Sequence, residues 1–375
     1  MRFIHTSDLH LGRRIFEFSL IDDQRHMINE LVRMADEEKP DALVIAGDIF
    51  DRSTPSVEAV GLFDELLTRI SRLGVRVIAT SGNHDSAERV AFGGSLMRPS
   101  GVFLSRVFDG NVEKITLPDD SGEVDFWMIP FIRPGSARRF FPDAEFADTN
   151  DALSAVIGSI PLDKTRRNVA IAHQFVTGAI RSESEEVSVG GSDNVDVSLF
   201  ADFDYAALGH IHRPQSLAAN VRYSGSPLKY SFSESLFDKS ATLVEIDGDR
   251  NLSLKLLPIV PLHEMRELRG RFSDLVVPPR YEPIRDDYVH VILTDDDDIP
   301  DAAAKLRLCY HGLMKLSFDN TRTHAGIELP TVREASPLEL FSEFYEKQNG
   351  RGMSDEQLDL MKELIGGLFD AADNA

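Results

Sequence analysis

The chain has 375 residues, of which 42% are apolar, and its formal net charge is −22. This length suggests about two or three domains, and the apolar fraction is large enough for a sizeable core. Cys309 is the sole cysteine, which excludes an intrachain disulfide and fits a reducing cytosol. The first residues (MRFIHTSDLH) leave no room for the apolar core of a signal peptide, and no apolar run reaches the roughly 18 residues of a membrane-spanning helix. We therefore expect a soluble, cytoplasmic protein.

The acidic excess disfavours a protein that holds nucleic acid unaided, because such proteins usually present a basic patch. An acidic run covers 295–298, and basic pairs occur at Arg13–Arg14, Arg138–Arg139 and Arg166–Arg167. For each basic pair, a solvated surface explains the charges as well as a contact with phosphate does. If the substrate is DNA, we expect a partner protein to supply much of the contact with the DNA backbone.

The first 85 residues predict alternating strands and helices. The predicted strands and helices are, in chain order, a strand at 2–4, a helix at 24–38, a strand at 42–46, a helix at 57–73 and a strand at 75–80. Apolar residues recur at helical spacing in both helices, and Pro40 and Gly74 follow the helix ends. This order predicts parallel strands that are joined by crossover helices.

The pattern continues more loosely as far as a closing hairpin. Further strands are predicted at 126–131, 168–172, 205–208 and 221–224, and a hairpin at 241–247 and 252–258. The hairpin turns around Asp247-Gly248-Asp249, a sequence typical of tight turns. These elements complete a first predicted domain, at 1–260.

The sequence changes character after Pro258. A strand at 288–293, a helix at 300–310 and a strand at 314–318 predict a small α/β domain, at 261–330. The remaining residues, 331–375, predict a helical tail with capping boxes at 336–339 and 354–357. Each tail helix has an apolar face, which either packs on its own domain or docks a partner.

Five short motifs follow predicted strands, where α/β sheets present their ligand sites. They are Asp8-Leu9-His10, Gly47-Asp48, Gly82-Asn83-His84-Asp85, His173 and Gly209-His210-Ile211-His212. Carboxylates and imidazoles suit Mn²⁺, Fe²⁺ or Zn²⁺, and a shared carboxylate lets two ions lie ~3.5–4 Å apart. A single histidine after a strand is usually structural, whereas all five motifs in this order indicate a binuclear metal site that hydrolyses phosphate esters.

This order of motifs resembles the calcineurin-like metallophosphoesterase superfamily and, within it, the SbcD family of nuclease subunits of bacterial SbcCD complexes. Longer segments carry the resemblance across nearly the whole chain: HTSDLHLGR, AGDIFDRSTPS, SGNHDS, LGHIHRPQ and YSGSPLKYSFSE. The resemblance implies an α/β fold, a four-layer αββα metallophosphoesterase sandwich with a small α/β capping domain and a C-terminal helical tail. It also implies that the capping domain binds DNA and that the tail docks an ATPase partner.

The resemblance further implies a role for each motif residue. The ligands of a first ion would be Asp8, His10 and His212. Those of a second ion would be Asn83, His173 and His210. The carboxylate of Asp48 would bridge the two ions. His84 would lie over the scissile phosphate, where it donates a proton or stabilises charge. Asp85 either orients the His84 ring or serves as a turn acid. The sequence leaves open whether Asp51 shapes the site, and whether Ser226 and Lys229 contact phosphate.

The function implied by the resemblance is that of a Mn²⁺-dependent DNA nuclease subunit, associated with the nucleoid and acting in DNA end processing, replication, recombination and repair. It implies 3′→5′ exonuclease activity on double strands and endonuclease activity on hairpins and single strands. The chain has no G-x-x-x-x-G-K-[ST] motif, so ATP dependence requires a partner, for which the resemblance implies an SbcC-type SMC-like ATPase. It also implies a homodimer within a heterotetramer.

Two alternatives remain at this stage. A cyclic-nucleotide or other small phosphodiester hydrolase of the same superfamily fits the acidic charge, but it needs neither the extra domain nor the tail. A catalytically silent DNA-end scaffold is disfavoured by the intact set of ligands.

Overall fold

The computed structural model describes residues 1–185, 193–319, 341–342, 345–346, 352–354 and 357–362. The chain divides into two compact units, Met1–Phe318 and Asp319–Ala375. Predicted boundaries after residues 260 and 330 are not tested by this division and stay predictions. Within the described residues, no helix combines the length and the apolar composition that a membrane crossing requires.

The strands and helices of the first unit are as follows. The strands are β1 (Arg2–Thr6), β2 (Arg14–Ile15), β3 (Phe18–Ser19), β4 (Ala42–Ala46), β5 (Arg76–Thr80), β6 (Val102–Leu104), β7 (Glu113–Asp119), β8 (Gly122–Ile129), β9 (Arg167–His173), β10 (Phe175–Val176), β11 (Asn194–Val195), β12 (Tyr205–Gly209), β13 (Gln215–Ala218), β14 (Val221–Tyr223), β15 (Lys239–Ile246), β16 (Leu252–Ile259), β17 (Met265–Gly270), β18 (Tyr288–Leu293) and β19 (Gly312–Phe318). The α-helices are α1 (Ile21–Glu38), α2 (Val57–Arg72), α3 (Ala87–Val90), α4 (Gly94–Met97), α5 (Pro134–Arg138), α6 (Thr149–Gly158), α7 (Phe272–Leu275), α8 (Pro278–Tyr281) and α9 (Ala302–Cys309).

Two six-stranded sheets form the centre of this unit. Their strand orders are β16-β15-β1-β4-β5-β6 and β13-β14-β12-β9-β8-β7. Strands β1, β4, β5 and β6 run parallel, as do β8, β9, β12 and β14. The parallel arrangement that the sequence predicted is confirmed, and so is the closing hairpin, in which Ile246 of β15 lies opposite Leu252 of β16.

Strand β4 shows how the layers form. Successive side chains of a strand point to opposite faces. Accordingly, Val44 belongs to the apolar layer between the two sheets, whereas Leu43 and Ile45 belong to the layer under α1 and α2. Burial of a side chain of this size contributes about 1.5–3 kcal/mol. Because both faces of β4 are covered, its sequence is a continuous apolar run.

The two sheets pack against each other, and helices cover their outer faces. The rings of Phe3 and Phe126 meet edge to face between the sheets, with their centroids 5.4 Å apart. On the far side of the second sheet, Leu153 and Val156 of α6 pack with the strand residue Trp127. The layer order is therefore helix, sheet, sheet, helix, and the predicted αββα sandwich is confirmed.

Strands β17, β18 and β19 form a separate parallel sheet. Its core contains Val289 and Val291 of β18 and Leu306 of α9. The predicted strand at 288–293 and the predicted helix near 300–310 are present, whereas the prediction lacked β17.

The second unit is described at a few positions only. The backbone N–H of Ser354 donates to Oε1 of Gln357 at 3.0 Å, and the N–H of Gln357 donates to Oγ of Ser354 at 3.3 Å. These reciprocal bonds confirm the predicted capping box at 354–357. The predicted capping box at 336–339 and much of the predicted apolar faces lie outside the described residues.

Candidate metal centre

The predicted site residues follow the carboxyl ends of parallel strands in both sheets. In the first sheet, β1 leads to Asp8 and His10, β4 to Asp48, and β5 to Asn83. In the second sheet, β9 ends at His173 and β12 leads to the two histidines of the Gly209–His212 motif. Neighbouring parallel strands present their carboxyl ends at the same edge, so the motifs converge although they are far apart in sequence.

Asp8, His10 and His212 form what we call the first subsite. Each offers one ligand atom, and these atoms lie within 4.8 Å of one another. All three side chains are buried, and Nε2 of His10 lies 3.1 Å from Nε2 of His212. The structure thus brings together the three residues predicted to hold the first ion.

Asn83, His173 and His210 form the second subsite. Oδ1 of Asn83 lies 3.0 Å from Nε2 of His173 and 2.9 Å from Nδ1 of His210. His173 is fully buried, and its Nδ1 lies 2.8 Å from the carbonyl oxygen of Ala46 in β4. The residues predicted to hold the second ion are therefore also adjacent.

The carboxylate of Asp48 lies between the two subsites. Its Oδ2 is 3.3 Å from Nε2 of His173 and 3.7 Å from Nε2 of His10. It thus forms close groups both with His10 and His84 and with Asp8 and His173. This is the position that a bridging ligand requires.

The hydrogen-bond network indicates which ring nitrogens face the centre. Oγ of Ser184 donates to Oε1 of Glu234 at 2.5 Å, so its single proton is used, and Nδ1 of His212 at 2.7 Å must donate to Oγ. Likewise, Nδ1 of His173 must donate to the carbonyl of Ala46. In the neutral rings, both Nε2 atoms then carry lone pairs, as metal ligands do.

The electrostatics of the cluster favour a cation. Burial raises the pKa of Asp8 and lowers that of His10 and His210, the last to about 3. Burial also lowers the pKa of His173, but the adjacent Asp48 carboxylate outweighs it and raises this pKa to about 9. Buried acceptors that face one another require a shared positive charge, and this N/O donor set fits a divalent transition metal.

Four of the predicted ligands have a strained backbone. Asp8, His10, Asp48 and His210 have φ angles of 54°, 42°, 49° and 99°. Side chains rarely adopt this left-handed region, and each instance costs about 1–3 kcal/mol. Gly82 allows the close approach, because a Cβ there would overlap the Asp48 carboxylate. Such strain is typical of positions that a functional geometry dictates.

His84 lies at the mouth of the centre. Its side chain is 18% exposed, and its Nε2 lies 3.9 Å from Oδ2 of Asp48. Its Nδ1 lies 3.0 Å from the carbonyl oxygen of Asp51, which is thereby placed to orient the ring. Oδ1 of Asp51 in turn accepts from Nη1 of Arg13 at 3.0 Å. Asp51, whose role the sequence left open, therefore contributes to the shape of the site.

Asp85 supports the turn that carries Asp48. Its carboxylate accepts from the backbone N–H groups of Ile49, Phe50 and Gly82 at 2.9–3.1 Å. Burial, together with the Asp48 charge, raises the pKa of Asp85 to about 6. The orienting role suggested for Asp85 stays a prediction.

A buried network behind His212 was missed from the sequence. Nζ of Lys239 lies 2.5 Å from Oε2 of Glu234 and 2.8 Å from both Oγ of Ser226 and the carbonyl oxygen of His212. Oε1 of Glu185 accepts from the N–H of His212 at 2.7 Å. The segment YSGSPLKYSFSE, which contains Ser226 and Glu234, was the signal that could have indicated this network.

Several charged residues have partners within the protein. Nζ of Lys229 lies 2.6 Å from Oε1 of Glu264, so it is already paired. Arg166 pairs with Glu123 and Asp125, and Arg167 pairs with Asp119. These basic side chains pair with acids of the protein, and Arg167 is buried, so the solvated-surface explanation of this pair is wrong for Arg167.

Comparison with known proteins finds similarity to phosphoesterases and to nuclease components. The calcineurin-like phosphoesterase family model matches residues 1–214, and a model described as type 5 capsule protein repressor C-terminal domain matches residues 261–349. Two proteins named as the SbcD component of the nuclease SbcCD, from Staphylococcus epidermidis and Staphylococcus saprophyticus, are each 29% identical, over 99% of this chain and 99% of their own length. A solved dimetal phosphatase from Danio rerio is 12% identical, covering 69% of this chain and 96% of that one, with a TM-score of 0.43.

These matches confirm the resemblance to the SbcD family that the motifs indicated. The first family model alone spans more than half of the chain and includes all of the motif residues. The chain therefore belongs to the calcineurin-like phosphoesterase family and is a metal-dependent phosphodiester hydrolase.

Proposed function

We propose that this protein is the nuclease subunit of a DNA repair complex and that it uses two divalent ions, of which Mn²⁺ is the best candidate. The observation that carries the proposal is the position of Asp48 between two groups of nitrogen and oxygen donors. The similarity to nuclease components along 99% of the chain supports DNA as the substrate. The activities proposed are 3′→5′ exonuclease action on double strands and endonuclease action on hairpins and single strands.

In this mechanism the first subsite would hold one ion, the second subsite would hold the other, and Asp48 would be shared between them. The chemistry that bound divalent ions supply is the activation of water for in-line attack and the neutralisation of charge on the phosphate. Asp48 keeps the two subsites at a fixed separation. The buried walls exclude bulk water and strengthen the charge interactions inside the centre.

His84 is proposed to act on the leaving oxygen. The carbonyl oxygen of Asp51 can only accept, so Nδ1 of His84 is the donor in their 3.0 Å contact. A protonated ring would then carry its second proton on Nε2, which lies 3.9 Å from Oδ2 of Asp48. From there it donates to the departing oxygen or stabilises charge on the phosphate, a contribution of typically ~10²–10⁴-fold in rate.

The proposed partners are an SbcC-type SMC-like ATPase and a second copy of the chain. The names of the relatives support the ATPase partner, whose proposed docking segment is 331–375. For the dimer, α3 and α4 supply support, because the nearby Phe92 and Leu96 are 82% and 85% exposed. Phe92 lies in the turn between α3 and α4, and Leu96 lies in α4, so the two exposed side chains are close in sequence, and exposed apolar residues that form one patch can mark an interface.

The experiment combines the protein with Mn²⁺ and an SbcC-type partner and measures cleavage of a DNA hairpin. We expect hairpin cleavage, its loss in His84→Gln, and retention of metal and DNA binding in that variant. Efficient cleavage of nucleotide monoesters without hairpin cleavage would show that DNA is not the substrate. Unchanged cleavage by His84→Gln would remove His84 from the mechanism. Deletion of 331–375 is expected to abolish co-purification of the ATPase.

A further inference from the structure

A cleft of about 640 Å³ opens beside the second subsite. Its walls include Asn83, Phe108, Phe131, Arg133, Arg139 and Phe140. The volume lies within the roughly 300–1,000 Å³ that is usual for ligand sites. Because Asn83 belongs both to the cleft and to the second subsite, a chain whose phosphate is held at the metal centre has a direct path into the cleft.

Phe131 forms the junction between the cleft and the centre. Its ring is stacked with that of His210, at a centroid distance of 6.3 Å and an interplanar angle of 23°. It also meets the ring of His173 edge to face at 6.2 Å. Phe131 is therefore in contact with two residues of the second subsite, and the cleft begins beside that subsite.

The arginines of the cleft lie over aromatic rings. Cζ of Arg133 lies 5.2 Å from the ring centroid of Phe131, and Cζ of Arg139 lies 5.6 Å from that of Phe140. Among the residues that the structure describes, neither guanidinium forms an ion pair, although both are exposed in a chain of net charge −22. By contrast, Arg166 and Arg167 are both paired with carboxylates.

The acidic side chain in the same wall does not supply the missing partner. Asp85 lines the cleft, but its oxygens accept from three backbone N–H groups and no contact joins it to Arg133 or Arg139. The cleft therefore combines aromatic rings with two cationic groups that are available to an anion. Proteins that bind single-stranded nucleic acid combine the same two features, because bases stack on rings and phosphates pair with cations.

We infer that this cleft binds an unpaired stretch of nucleotides adjoining the scissile phosphodiester. The inference rests on the proposed nuclease function and specifies the substrate form at the centre. Bases stack against the phenylalanine rings and the guanidinium planes, while Arg133 and Arg139 contact the flanking phosphates. A duplex keeps its base faces stacked internally, so only an unpaired end, a hairpin loop or a frayed strand can use this surface.

The test compares Arg133→Ala/Arg139→Ala with the wild-type chain in binding a fluorescent single-stranded oligonucleotide without Mn²⁺. We expect at least tenfold weaker binding. The slope of log K against log[salt] is expected to become shallower by ~1.4, because each single-strand phosphate contact contributes ~0.7. The matched control is Arg25→Ala/Arg33→Ala, which removes the same charge from α1, where both arginines pair with glutamates.

The second readout is the ratio of kcat/KM for the oligonucleotide to kcat/KM for bis(p-nitrophenyl) phosphate. This ratio is expected to fall about tenfold in the cleft variant and to stay at the wild-type value in the control. Arg133→Lys/Arg139→Lys should restore the salt slope but only part of the affinity, since lysine keeps the charge and loses the stacking plane.

The outcomes separate the inference from the function on which it rests. If wild-type protein cuts DNA and the cleft variant binds and cuts like wild type, the inference is wrong and the nuclease function stands. Equal losses in the cleft variant and the control would also overturn it, because net charge alone would explain them. If wild-type protein, combined with Mn²⁺ and an SbcC-type partner, hydrolyses the small diester but never DNA, the nuclease function itself fails.

Discussion

The two subsites are held in place by different kinds of structure. In the first, the ring of His212 is fixed by side chains, through Ser184 to the buried pair of Glu234 and Lys239. In the second, the ring of His173 is fixed by the backbone carbonyl of Ala46 in the facing sheet. The first subsite therefore depends on individual side chains from distant segments, whereas the second depends mainly on how the two sheets pack. Substitutions should distinguish the two.

The largest effect is expected at Asp48, because its carboxylate lies beside both subsites. Asp48→Ala removes the oxygen that lies 3.3 Å from His173 and 3.7 Å from His10, so both subsites should lose affinity for metal. A loss of about 4 kcal/mol of transition-state stabilisation corresponds to ~10³-fold in the rate of diester hydrolysis. Metal content by elemental analysis and the hydrolysis rate check this.

The matched control is Asp36→Ala, which removes an exposed carboxylate on α1 that pairs with Lys39. It should retain both ions and the wild-type rate. Retention of both ions by Asp48→Ala would contradict the bridging position.

Glu234→Gln should act on the first subsite and on stability together. It leaves the buried Lys239 without its carboxylate partner, and breaking a buried pair in this way costs about 3–5 kcal/mol. It also weakens the support of His212, so metal affinity at the first subsite should fall ~10–100-fold. Denaturant unfolding measures the first effect, and calorimetric titration of the metal measures the second.

The double variant Glu234→Gln/Lys239→Met separates these effects. With the unpaired charge removed, much of the stability should return, while the first subsite stays weak. Equal weakening of both subsites in the calorimetric titration would show that this network does not act selectively.

A smaller effect is expected from Ser184→Ala. The variant removes the hydroxyl that links Nδ1 of His212 to Glu234, but Oε1 of Glu234 lies only 3.5 Å from that nitrogen and can partly replace it. We expect a loss of about tenfold in first-subsite affinity, at the low end for such supporting residues. Ser184→Thr keeps a hydroxyl and should restore much of the affinity; equal losses in both variants would argue against a role for the hydrogen bond.

The sequence indicated the residues that converge at the metal centre more readily than the residues that support them, and the reason is physical. Strand β4 is covered on both faces, so its apolar run is visible in the sequence, and Gly47 and Asp48 follow at once. Ser184 and Glu234 are 50 residues apart, and only the folded chain places them beside each other. Ser184 has no local pattern that distinguishes it from an ordinary loop residue. For Glu234, the local signal is the segment YSGSPLKYSFSE.

Strand β17 is absent from the sequence-based prediction because its own residues carry little strand pattern. β17 has the sequence MRELRG, in which only Met265 and Leu268 are buried. Two apolar residues three positions apart do not match the alternation of a half-buried strand. The pairing of β17 with β18, rather than its own pattern, makes it a strand.

The smallest effect should come from a side-chain substitution beside the second subsite. Gln174 follows His173 directly, is buried, and donates from Nε2 to the carbonyl oxygen of Ile132 at 3.2 Å. Gln174→Met removes this hydrogen bond at a cost of about 1 kcal/mol in unfolding free energy. The contact of His173 with Ala46 is unchanged, so metal affinity at the second subsite should change less than about twofold, or 0.4 kcal/mol. A loss as large as that of Ser184→Ala in the same titration would mean that side chains support both subsites, and the contrast between them would fail.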